Sequence, residues 1–171
     1  MLIGDRTVFA IECHHDPIQN PSRNVYGRMC MWFGAFRLGD PEEQTCMLDV
    51  TEVALRDILH QLDSLDDGAL VGLSPADAFA FLDNALYLDI GQSDQQIESD
   101  AARLSKFDLL TNGGESFDHT KSFVVTQGDI VRVLFRDEAG LFHSADVSRS
   151  GFIDVLQRFL GWLANEREGA G

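Results

Sequence analysis

Residues 122–147, SFVVTQGDIVRVLFRDEAGLFHSADV, decide the fold class. Three runs rich in β-branched and aromatic residues, 122–126, 130–135 and 141–147, are separated by Gln127-Gly128-Asp129 and by Asp137-Glu138-Ala139-Gly140. Links this short make hairpins, so the runs are expected to form an antiparallel meander. Ser150 is then expected to cap a last helix, whose buried stripe is Phe152, Val155, Leu156, Phe159, Leu160 and Leu163. The chain is expected to fray from Glu168 onward.

The N-terminal part has strand character as well. Thr7-Val8-Phe9-Ala10-Ile11-Glu12-Cys13 reads as a strand, closed by the turn-prone stretch from Asp16 to Asn24 with its two prolines. Residues 26–38 (YGRMCMWFGAFRL) read as a longer strand, in which Gly27 and Gly34 suggest a bulge or a close backbone approach; Gly39-Asp40-Pro41 ends it. From Thr51 the period changes. Val53, Leu55, Ile58, Leu59 and Leu62 recur at helical spacing, with Asp49 or Thr51 as the cap. Ser74-Pro75-Ala76-Asp77 opens a second helix with a cap residue, proline at the first position and an acid in the first turn. Its apolar face carries Phe79, Leu82 and Leu86, with Phe81 on a flank. Residues 91–100 (GQSDQQIESD) read as a polar surface loop, and 101–110 as a short helix that Asn112-Gly113-Gly114 stops.

Strands at both ends with helices between and after them give an α+β class: a mostly antiparallel sheet with helices packed on one face, the whole of 1–171 forming a single domain. The 171 residues, 44% of them hydrophobic and including twelve Phe, suffice for one ordinary core and exclude a disordered chain. Neither a membrane-spanning run nor a signal peptide is visible, so the expected place is the cytoplasm, with no membrane partner. Cys13, Cys30 and Cys46 are odd in number and widely spaced, which fits buried reduced thiols and not a disulfide scaffold.

The formal charge is −15, the wrong sign for holding phosphate backbones, so no nucleic-acid partner is expected. The charge is unevenly spread. Residues 1–48 carry six acids and four bases, 49–100 carry twelve acids and one base (Arg56), and 101–171 carry ten acids and eight bases. Such a one-signed middle segment either solvates a helical face or steers a basic partner.

Chemistry-bearing motifs are scarce. His14-His15-Asp16 is the sole cluster of ligand-type residues, but neighbours in a strand point to opposite faces, so the two imidazoles do not readily share a metal. His60, His119 and His143 are isolated, and HExxH, GxSxG, GxxxxGK[ST] and GxGxxG are all absent. No catalytic residue, metal ligand or cofactor is assigned. Trp32 and Trp162 are read as core.

The order of short motifs along the chain resembles the immunity protein 42 family of bacterial polymorphic toxin systems. The residues that carry the resemblance are Ile3-Gly4-Asp5 with Phe9-Ala10-Ile11-Glu12, Tyr26-Gly27-Arg28 leading into Trp32 and Gly34, and Leu38-Gly39-Asp40. Leu73-Ser74-Pro75-Ala76-Asp77 with Asn84-Ala85-Leu86-Tyr87 follows, then Phe117-Asp118 before Lys121, and Gly151-Phe152-Ile153-Asp154 through Trp162-Leu163. His119 stands where members of the family tend to have Trp after the Phe-Asp pair. The resemblance implies a small cytoplasmic, non-catalytic protein that binds a cognate toxin domain and blocks it. It assigns no toxin-contacting residues.

The expected function is therefore toxin neutralisation by occlusion, a carboxylate-rich surface docking on the basic groove of a toxin such as a nuclease. The expected partner-facing patch is Asp63, Asp66, Asp67, Asp94, Glu98 and Asp100, acids with no base close by in sequence. The alternatives are a small metal-dependent hydrolase built around His14, His15 and Asp16, and a generic acidic adaptor protein.

Overall fold

A computed structural model describes residues 1–17, 24–42, 45–111 and 113–169. The strands pair antiparallel throughout, in two sheets. The first holds β1 (Leu2–Asp5), β2 (Phe9–His15), β3 (Tyr26–Phe33) and β4 (Phe36–Leu38) in chain order, with the short β5 (Cys46–Met47) also on β3. The second is the meander β6 (Lys121–Gln127), β7 (Ile130–Arg136) and β8 (Phe142–Ser148). The helices are α1 (Leu48–Gln61), α2 (Pro75–Leu86), α3 (Asp94–Leu104) and α4 (Arg149–Gly169). The class is α+β with antiparallel pairing, as the spacing of turns and apolar runs requires.

Pairing Ile11 with Met31 and Cys13 with Met29 puts Phe9, Ile11, Cys13, Met29, Met31 and Phe33 on one face of the first sheet. That face is buried. A run of rings, Phe152–Phe9–Phe33–Phe135, with centroids 5.1, 5.0 and 5.7 Å apart, links α4 through the first sheet to β7. All six apolar residues of the α4 stripe are buried there. The opposite face of the second sheet is covered at one end by α2, whose Phe79 meets Phe123 and Phe142 edge-on at 5.2 and 5.5 Å. Thus α2 and α4 lie on opposite faces of β6–β8.

Several elements differ from the sequence reading, each for a local reason. Residues 26–38 are a hairpin and not one strand, because Gly34 at φ +61° turns the chain between β3 and β4. The strand β1 lies ahead of the first expected one. In α1 neither Asp49 nor Thr51 caps the start: the Asp49 carboxylate accepts the Val25 amide at 2.9 Å, and the Thr51 hydroxyl donates to the Gly113 carbonyl. Val53 is 61% exposed, off the buried face of Leu48, Leu55 and Ile58. Ser74 does cap α2, accepting the Asp77 amide. The expected loop at 91–100 is mostly helix: Ser93 accepts the Gln96 amide and starts α3, which ends at Leu104 and not near 110. Ser148, not Ser150, accepts the Gly151 amide at the start of α4, and the helix continues past Glu168. Trp32 and Trp162 are half-buried and do not belong to the fully buried core. Part of the turn at 16–24, the stop residue Asn112 and the last two residues lie outside the described segments.

Candidate partner-binding surface

Three local devices fix the course of the acidic segment after α1. After α1 the chain makes two 3-10 turns, Leu62–Ser64 and Gly68–Leu70, the second started by Asp67, whose carboxylate accepts the Ala69 amide at 2.8 Å. Leu65 between them is fully buried, and its carbonyl accepts the Thr126 amide of β6 at 2.6 Å. The end of α3 folds back onto these turns, Arg103 reaching both Asp67 at 3.7 Å and Asp100 at 3.9 Å.

The six expected patch residues do not share one environment. Asp66, Asp94 and Glu98 are exposed, and among the described residues none of them forms an ion pair. Asp63 is exposed but faces Arg149 at the start of α4. Asp67 is half-buried and engaged by its own turn. Asp100 is buried at 9% exposure, accepting from the Gln96 amide group at 2.8 Å, so it braces α3 and does not face solvent. Arg103, just outside the segment, and Arg149, well beyond it, therefore neutralise part of it, contrary to its one-signed appearance. Arg103 brings Asp67 and Asp100 together, whereas Asp94 and Glu98 sit one turn apart on another side of α3.

Beside Asp66 and Asp67 lies a groove of about 200 Å³ between the 3-10 turns, the start of α2 and the end of β6. Its lining includes Leu65, Leu70, Val71 and Leu73 on one side and Val125 and Gln127 on the other. Val71 is 79% exposed and Leu73 37%. Leu88 and Ile90, past the far end of α2, and Ile97 in α3 are exposed as well but do not line this groove. Exposed apolar residues next to unpaired acids are the signal that the charge count alone missed.

The His14-His15-Asp16 cluster splits as alternation requires. His15 Nδ1 lies 2.7 Å from Glu166 of α4, while His14 Nε2 lies 3.3 Å from Asp16. Asp16 is held by other groups as well: the Thr45 hydroxyl, then Arg28, keep its carboxyl below its ordinary range, against the effect of burial. No three His, Cys, Asp or Glu side chains converge on a metal-sized site among the described residues. Burial pushes the thiols of Cys13 and Cys30 up to about 12, and all three cysteines are buried thiols outside any disulfide. Such thiols are inert as nucleophiles at neutral pH. Among the described residues no helix is long and apolar enough to cross a membrane.

A second surface, half-buried at Glu12, Arg28 and Trp32, is the outer face of the first sheet. There Trp32 Nε1 donates to Glu12 at 2.7 Å, and the Arg6 guanidinium lies 3.5 Å from the centre of the Trp32 rings. Alternation in β2 and β3 signals this face, since Ala10, Glu12 and His14 sit opposite Trp32, Cys30 and Arg28.

Comparison with known proteins completes the description. No curated protein matches the sequence. Among solved structures, CdiI from Burkholderia dolosa AUO158 has a similar fold, with a TM-score of 0.64 and 18% identity over 95% of this chain and 99% of that one. The family model for immunity protein 42 matches residues 1–162, nearly the whole chain, so the chain belongs to the immunity protein 42 family.

Proposed function

We propose that the protein neutralises a cognate toxin by binding its toxic domain and covering the active site, without catalysis of its own. The family match over residues 1–162 carries this reading. The charge distribution supports the chemistry of the partner: Asp66, Asp94 and Glu98 present uncompensated carboxylates that suit a basic groove, as on a nuclease. Asp63, Asp67 and Asp100 hold the frame of that surface through Arg149 and Arg103. The cytoplasm of the toxin-producing cell is where such binding protects.

The test is co-expression with the toxin domain encoded beside the gene. Cells carrying both should grow, cells carrying the toxin alone should arrest, and the two purified proteins should co-elute as one complex. Growth arrest in the presence of this protein, with no complex formed, overturns the proposal.

A further inference from the structure

The groove beside Asp66 has the dimensions and chemistry of a side-chain socket. Cofactor and drug-sized sites occupy roughly 300–1,000 Å³; this one, at about 200 Å³, is smaller. Its walls are apolar at Leu65, Leu70, Val71 and Leu73, and its rim carries Asp66 and Asp67. Arg132 also lines it, with Nε and Nη2 donating to Asp146 at 2.6 and 2.7 Å, so its charge is already matched by that carboxylate and not by the rim acids. The pair is mutual: the Arg132 hydrogen bonds hold the Asp146 carboxyl below its ordinary range.

An apolar trough ending in carboxylates suits one kind of side chain. Lysine and arginine lay their methylene stems along apolar surface while the charged head seeks anions. A neutral apolar side chain would leave Asp66 without a partner, since Asp67 is already engaged by Arg103 and its own turn, and an acid would be repelled. The wall is also built before anything binds, since Asp67 caps its turn, Val71 donates to the Gly68 carbonyl and Leu73 to the Leu70 carbonyl, both at 3.3 Å. Little ordering remains for binding to cost.

We propose that this groove is the anchoring socket of the partner-binding surface, receiving a lysine or arginine side chain flanked by apolar residues on the toxin. The socket deepens the toxin-binding reading and rests on it. Arginine is enriched among the few residues that dominate interfaces, and a fully seated one would fix the register that exposed charges only steer.

Two measurements test the socket separately from the immunity reading. The first titrates the isotope-labelled full chain with acetyl-Leu-Arg-Leu-amide and follows backbone amide shifts. Shifts should concentrate at residues 65–73 and 125–127, weaken at least about tenfold with acetyl-Gly-Arg-Gly-amide, and vanish with acetyl-Leu-Glu-Leu-amide. Absence of shifts, equal binding of the glycine peptide, or shifts elsewhere overturn the socket whatever the protein's function. The second compares Asp66→Lys, Val71→Ser and Asp94→Lys for dissociation from the toxin domain. The first two should speed dissociation at least about tenfold and the third by less than about threefold. Equal effects of Asp66→Lys and Asp94→Lys, with none from Val71→Ser, would reduce the surface to long-range attraction and overturn the socket even if the complex forms.

Discussion

Gly27 and Gly39 show how single residues set the backbone here. A Cβ at Gly27 would stand 2.1 Å from the His14 carbonyl oxygen across the β2–β3 pair, where only backbone can yield. At Gly39, φ is +87° and a Cβ would meet the Phe117 ring at 2.6 Å. Gly27→Ala and Gly39→Ala should each cost about 3 kcal/mol, read from urea denaturation, whereas Gly128→Ala in an open turn should cost about 1 kcal/mol. The close approach at Gly27 was legible from a glycine inside a strand-like run. Which contact demanded it was not, because the partner strand lies thirteen residues away in sequence. Tryptophan misled for a related reason. Trp32 is large and apolar enough for a core, yet its indole N–H needs an acceptor, and Glu12 supplies one on the outer face of the first sheet. Trp32→Ala should therefore cost about 1 to 2 kcal/mol, clearly less than Phe33→Ala, which empties a fully buried ring position at about 3 to 5 kcal/mol. Equal losses for the two would mean that Trp32 packs as core.

Between elements, the closing contact is made by charge. Arg167 near the end of α4 reaches Asp49 and Glu52 in the first turns of α1, and Arg56 donates to the same Glu52 at 2.7 Å. Glu52 is only 7% exposed. Burial alone would raise its carboxyl, but hydrogen bonds from Arg167 and Arg56 outweigh that and hold it below its ordinary value of 4.5. An acid depressed in the folded state binds fewer protons there than when unfolded, so its stabilisation is present above 4.5 and lost as pH falls through the folded value. Arg167→Met should cost about 1 to 3 kcal/mol at pH 7 and flatten the fall in stability below about pH 4.5 relative to the parent, in denaturation series at several pH values. Neither partner announced itself in the sequence: Arg149 and Arg167, both in α4, compensate acids of the middle segment at sequence separations that no local pattern encodes. Helix α3 was hidden differently. Its eleven residues hold only Ile97 and Leu104 as large apolar side chains, too few for a readable period, so packing against α2 and the cap at Ser93 had to define it. Where apolar periodicity was dense, as in α4, every expected stripe residue is buried.

Over the whole molecule, the excess of acid acts at a distance that contacts do not. The net charge is −15, and most of it belongs to residues 49–100, but only the exposed, uncompensated part of that segment can shape the outer field. Reversing the three exposed acids Asp66, Asp94 and Glu98 to Lys changes the charge by six units at positions that form no ion pair among the described residues, so the fold should survive, with stability altered by about 0.5 kcal/mol per site. Reversing Asp63, Asp66 and Asp67 would be a poorer probe, because Asp63 faces Arg149 and Asp67 starts the 3-10 turn. Exposed charges further apart than about 10 Å are largely screened at 0.1 M salt. Association of the parent protein with a basic toxin domain should therefore slow as salt rises from 0.02 to 0.5 M, by about tenfold or more, while the triple reversal starts slow and hardly responds. Stopped-flow traces across that series separate steering from solvation of the helices. If parent and reversed proteins associate at equal rates at every salt concentration, the acidic face has no part in recognition, and the Trp32–Arg6 face of the first sheet becomes the surface whose substitution should then break the complex.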